Sequence, residues 1–179
     1  LFAITLYYFL EASIIMEKIN YTRHILLENS PNARDLGGFT CSGGTTAWGK
    51  FVRTASLSSL TGAESEILKN YGVTDIIDLR STAEQDVQPY PAILSSSFSC
   101  HKVPMLDQMN SSGFQGNMTT SMGDLYCTLL SENGKEFAAI FSIFANATGA
   151  AVFHCTAGKD RTGVTAMLLL SLLGVADAD

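Results

Sequence analysis

Apolar positions along the chain follow two periods, and their alternation predicts strands interleaved with helices. The run Val73-Thr74-Asp75-Ile76-Ile77-Asp78-Leu79 gathers β-branched residues directly after Gly72, the pattern of a buried strand. Ala150-Ala151-Val152-Phe153 is a second such run. Thr61 and Glu64 have the spacing of a capping box, and Ile67, Leu68 and Tyr71 continue one face as far as Gly72, so a helix is predicted over 62–71. Ser121 is placed to cap a helix over 122–130, while Phe137, Ile140, Phe141 and Phe144 mark another over 135–146. Those aromatics read as core rather than as a cofactor box. A strongly apolar helix is predicted over 163–173, ending at Gly174. Upstream, 36–54 mixes apolar residues with Gly37, Gly38, Gly43, Gly44 and Gly49, which predicts short strands and tight turns. The stretch 81–120 is rich in Ser, Gly, Asn and Pro and reads as loop, with one strand-like segment at 101–105. The fold class that follows is α/β, a mainly parallel central sheet flanked by helices.

Length and composition narrow this further. A chain of 179 residues with 46% hydrophobic positions supports one substantial core and is short for two ordinary domains. The domain is expected over 16–179, incomplete at its C-terminal end, because Val175-Ala176-Asp177-Ala178-Asp179 looks like the start of another helix. Residues 1–15 precede the ordinary-looking run that opens at Met16 and are expected to be an extension outside the fold. Their apolar start is broken at Glu11, well short of the ~20 residues needed to span a bilayer. They also lack the basic segment and small-residue cleavage site of a secretory leader, so no membrane span and a cytoplasmic location are expected. A truncated leader or anchor is the rival reading.

A formal charge of -6 argues against a nucleic-acid partner. Cysteines at 41, 100, 127 and 155 have no C-x-x-C spacing and no nearby paired histidines, so neither a metal site nor a disulfide framework is expected. Free thiols in a reducing compartment fit that usage. Asn-x-Ser/Thr triplets at Asn20, Asn110, Asn117 and Asn146 read as chance in a Ser/Thr-rich chain.

The chemistry lies between the last strand and the last helix, in His154-Cys155-Thr156-Ala157-Gly158-Lys159-Asp160-Arg161-Thr162-Gly163. A strand that feeds a small-residue loop into a helix N-terminus gathers unsatisfied N–H groups at the positive end of the helix dipole, an anion cradle that fits phosphate. The same field stabilises a thiolate, so Cys155 is the candidate nucleophile. Arg161, six residues on, has the fork to hold two phosphate oxygens, and Thr162 is placed to donate to the sulfur. Thr156, Ala157, Gly158 and Lys159 form the cradle, with Lys159 read either as a solvated charge or as a contact to multiply phosphorylated head groups. His154 is read as orienting the cradle. A nucleotide-binding loop is rejected, because Gly158-Lys159 is followed by Asp160 rather than Ser or Thr.

The Cys-x5-Arg-Thr loop preceded by His resembles the signature of protein tyrosine phosphatases. Together with Asn32-Ala33-Arg34-Asp35-Leu36-Gly37-Gly38, Arg53-Thr54-Ala55, Leu57-Ser58-Ser59-Leu60-Thr61 and Ile77-Asp78-Leu79-Arg80-Ser81, it is similar to the bacterial and fungal tyrosine-protein phosphatase family over about residues 28 to 179. The resemblance implies a tyrosine phosphatase fold and a cysteine-dependent phosphomonoester hydrolase that works through a phosphocysteine, without metal or organic cofactor. It implies phosphorylated proteins as substrates, with phosphoinositides as the alternative. There is no Trp-Pro-Asp loop to supply the general acid, since Trp48 is followed by Gly49. The resemblance places a carboxylate inside the loop, which makes Asp160 the first candidate, equally readable as a structural partner to an arginine. Asp78, at the C-terminal end of a parallel strand, is the second candidate and Asp35 the third. Arg34, Asp35 and Arg80 are read as an ion-pair network supporting the loop. Two other classes stay open: a rhodanese-type sulfurtransferase, against which Arg161-Thr162-Gly163 favours phosphate, and a non-catalytic phosphate-binding module.

Overall fold

The computed structural model describes residues 21–105 and 121–176. The expected extension at 1–15, the triplets at Asn20, Asn110 and Asn117, and residues 177–179 lie outside the described residues. Within them the order is β1 (Arg34–Asp35), β2 (Thr40–Cys41), β3 (Gly44–Thr45), β4 (Phe51–Thr54), α1 (Gly62–Asn70), β5 (Val73–Asp78), α2 (Thr82–Val87), α3 (Ala92–Ser97), β6 (Ser99–Lys102), α4 (Met122–Glu132), α5 (Gly134–Asn146), β7 (Ala150–His154) and α6 (Asp160–Leu172).

Five strands make one sheet in the order β1-β4-β7-β5-β6, parallel from β4 to β6, with β1 antiparallel at the edge. The expected α/β class, a mainly parallel sheet flanked by helices, is what the chain forms. The two apolar runs lie side by side: β7 occupies the centre, all five residues buried, because a strand covered on both faces has no polar side to show. Successive side chains leave a strand on opposite faces, so Ile76 and Ile77 enter different cores. On one face Ile77 and Phe153 meet Phe137, Ile140 and Phe144 of α5 and Leu169 of α6. On the other, Val52, Ile76 and Val152 meet Leu68 of α1 and Leu94 of α3. Phe144 sets its ring edge against Phe51 and Phe153, with centroids 5.0 and 5.3 Å apart, which locks α5 to the sheet.

Three expectations need correction. The stretch read as loop from 81 contains α2 and α3, each six residues long and too short to display a period. Its one legible signal was the capping box: the Ser81 side chain accepts from Glu84 N at 3.3 Å, and Glu84 Oε2 accepts from Ser81 N at 2.7 Å. The strand expected at 101–105 is β6, starting at Ser99, and no residue in it is fully buried, so it carries no apolar run. The last helix starts at Asp160 rather than 163, because Gly163 N already donates to Lys159 O at 2.8 Å. No helix among the described residues is long and apolar enough to cross a membrane.

Candidate active site

Beyond His154 the chain leaves β7 and turns through 155–159 into the N-terminus of α6. The carbonyls of 155–158 are each held from outside or behind. His154 Nδ1 donates to Cys155 O at 3.0 Å, Ser56 N to Thr156 O at 3.0 Å, Asn32 Nδ2 to Ala157 O at 3.1 Å and Arg53 Nη2 to Gly158 O at 2.8 Å. A trans peptide sets its N–H opposite its C=O, so tying the carbonyls outward turns the following amides of Thr156, Ala157, Gly158 and Lys159 inward. Gly158 is required at its position: its φ is +66°, and a Cβ there would lie 2.5 Å from Thr54 O. The α6 dipole adds its positive end to the concavity.

Cys155 sits at the floor, 3% exposed. Burial pushes its thiol up, but the Thr162 hydroxyl and amide, the Arg161 guanidinium and the Lys159 amide outweigh burial and hold the thiol below its ordinary value. Among the described residues Thr162 Oγ1 is buried with no other hydrogen-bond partner, and its hydroxyl is one of the groups that lower the Cys155 thiol. Arg161 reaches across the turn to Glu84, with Nη1 donating to Oε2 at 2.6 Å and Nη2 to Oε1 at 2.9 Å. The Thr156 hydroxyl donates to Glu84 Oε1 as well. Burial works against the Glu84 charge, yet Arg161, Thr156 and the Ser81 amide hold its carboxyl well below the usual carboxylate range.

Behind the loop, His154 is fully buried, and burial lowers its pKa despite the Asp78 charge, so it is neutral at neutral pH. A carbonyl only accepts, so Nδ1 carries the proton and Nε2 accepts from the Tyr90 hydroxyl. Asp78, 1% exposed, gives both oxygens to Arg80 and accepts its backbone N–H at 3.0 Å. That engagement occupies both Asp78 oxygens.

The other predicted residues divide. Asp160 lies at the rim, its side chain 38% exposed, accepting from the Tyr126 hydroxyl at 2.7 Å with Lys159 Nζ at 4.0 Å. Lys159 projects outward, with its side chain 72% exposed. Arg34, Asp35 and Arg80 do not form the single network expected of them. Arg34 stands opposite Arg53 in the β1–β4 pair, Arg80 pairs with Asp78, and Asp35 accepts the amides of Gly37 and Gly49 and the Tyr71 hydroxyl. Asp35 therefore fastens the turn around Trp48. The residues missed by the sequence reading are Glu84, Arg53, Tyr90 and Tyr126. Two of them carry a signal: Arg53 lies in the Arg53-Thr54-Ala55 run that supports the resemblance, and Ser81-x-x-Glu84 has the capping-box spacing of Thr61 and Glu64. A cleft of about 410 Å³ opens beside Thr156, walled by Ala83, Glu84 and Val87. Among the described residues no cluster of three or more metal-ligating side chains occurs, and all four cysteines are free.

A cysteine with a lowered pKa and an arginine meet where the central parallel strand turns into a helix N-terminus, in an α/β sheet that is the tyrosine phosphatase-like fold. The chain matches the tyrosine phosphatase family model over residues 25–179 and belongs to that family. It is 37% identical over 132 residues to a tyrosine-protein phosphatase of Nostoc commune, covering 72% of this chain and 45% of that protein. It is 32% identical over 168 residues to a putative tyrosine-protein phosphatase of Cupriavidus necator, covering 88% and 60%. A triple specificity protein phosphatase of Mycobacterium tuberculosis is 27% identical over 157 residues, covering 71% and 56%. The chain spans about half the length of the curated relatives it matches.

Proposed function

We propose that this chain hydrolyses phosphomonoesters through a phosphocysteine, as a protein tyrosine or dual-specificity phosphatase. The observation that carries the reading is the lowered Cys155 thiol at the floor of a turn whose carbonyls face outward. Cys155 thiolate attacks phosphorus in line while the amides of 156–159 and Arg161 hold the equatorial oxygens. Asp160 is the better placed acid for the departing oxygen, because it lies at the rim whereas Asp78 is closed beneath Arg80. Water then cleaves the phosphocysteine, and the Thr162 hydroxyl stabilises the departing thiolate. The reaction as proposed uses no metal or organic cofactor.

The substrate is a phosphorylated protein, with phosphotyrosine first and a phosphoinositide as the alternative; the triple specificity of the mycobacterial relative supports the wider range. An acidic balance and four free thiols support a cytoplasmic setting and no nucleic-acid partner. The test is release of p-nitrophenol from p-nitrophenyl phosphate without added metal. Wild type is expected to turn over and Cys155→Ser to lose activity by about 10⁴-fold or more. Turnover retained in the serine variant overturns the thiolate mechanism. A folded wild type that binds phosphate yet releases no product is instead a phosphate-binding module.

A further inference from the structure

Arg161 has five N–H groups, and the chain itself accepts from all four on the terminal nitrogens. Nη1 donates to Glu84 Oε2 at 2.6 Å and to Leu79 O at 3.4 Å. Nη2 donates to Glu84 Oε1 at 2.9 Å and to Thr156 Oγ1 at 3.3 Å. A guanidinium forks onto a phosphoryl group through two parallel donors, and here both terminal donors meet a carboxylate first. The two halves of that carboxylate are not equivalent. Oε2 also accepts from Ser81 N at 2.7 Å and is thereby fixed to the start of α2, whereas among the described residues Oε1 accepts from Arg161 and the Thr156 hydroxyl alone.

We propose that Glu84 is a resident counter-anion of the cradle, competing with the phosphoryl group for Arg161 and reclaiming the guanidinium when inorganic phosphate leaves. This rests on reading the loop as a phosphate site. The Nη1–Oε2 bond is the hinge. On binding, Nη2 exchanges Oε1 and Thr156 for a phosphoryl oxygen and joins Nε in a side-on fork, while Nη1 keeps Arg161 attached to α2. A negative charge fixed beside the cradle weakens its grip on a dianion, so Glu84 lowers affinity for both substrate and product.

The charge can be removed without removing the cap, because glutamine serves as well as glutamate at the third position of a capping box. Binding of inorganic phosphate to the full chain is measured by titration calorimetry for wild type, Glu84→Gln and the control Glu66→Gln, an exposed residue of α1 paired with Lys69. Glu84→Gln is expected to tighten phosphate binding by about fivefold or more while Glu66→Gln leaves it unchanged. Should Glu84→Gln fail to fold, Glu84→Asp keeps a capping box of the kind Ser121 and Asp124 make, draws the carboxylate back from Arg161 and shifts affinity in the same direction. Phosphate bound by wild type but no tighter in the variants overturns the counter-anion and leaves the phosphatase reading standing. Phosphate bound by none of the proteins overturns both.

Discussion

The Cys155 thiol is buried, which by itself makes a poor nucleophile, and it is acidified by neighbours that aim at the sulfur. Thr162 is the testable one, since its hydroxyl has no other conventional partner. Thr162→Val keeps the shape and removes the donor, so the alkaline rise in Cys155 alkylation by iodoacetamide is expected to move to higher pH. Turnover is expected to fall by about tenfold, ~1.4 kcal/mol, as the thiolate becomes a poorer leaving group. An unmoved alkylation profile would assign the acidification to Arg161 and the amides alone. His154 takes no part in that titration: burial keeps it neutral, and its proton stays on Nδ1 against Cys155 O.

At the scale of elements, α1 and α2 start with the same device, a hydroxyl and a glutamate exchanging hydrogen bonds with each other's backbone. Glu64 adds a second task. It accepts from Asn29 N at 2.8 Å and Asn29 Nδ2 at 3.1 Å, binding the segment before β1 to α1. Burial opposes its charge, but the Asn29 and Thr61 donors win and hold its carboxyl at about 2 against an ordinary 4.5. A pKa depressed in the folded state contributes stability that is complete above pH 4.5 and is lost as pH falls towards about 2. Glu64→Gln is therefore expected to flatten the acid side of the stability profile in that window, read from urea midpoints at successive pH values. A slope identical to wild type would place the acid sensitivity elsewhere.

Across the whole molecule, the central strand carries both cores, and Phe153 is its largest side chain. Phe153→Ala is expected to cost about 3–5 kcal/mol in urea unfolding, with Phe144 left facing a cavity. A loss below about 1 kcal/mol would mean that α5 collapses onto the sheet without penalty. What could be read from the sequence follows the same division. β5 and β7 were legible because strands buried on both faces are written as apolar runs, and the 154–163 turn because its chemistry is contiguous. β6 was half legible, since its four residues are exposed or only partly buried. Glu84 was invisible as a site residue because its partner stands 77 positions away, and a capping signal says nothing about what the carboxylate faces. Arg34, Asp35 and Arg80 lie in motifs that suggested one network, but Asp35 is taken up by Gly37, Gly49 and Tyr71 and Arg80 by Asp78.

The outward ties of the loop carry a consequence for how the protein comes into being. Asn32 and Arg53 hold carbonyls 125 and 105 positions further along the chain. Such closures are entropically the most expensive and belong to the late, slow part of assembly. A nascent or partly collapsed chain therefore has helices and an ordinary thiol. Only the finished tertiary structure has the tied turn that lowers it, so in the proposed mechanism the nucleophile is armed by the same event that completes folding.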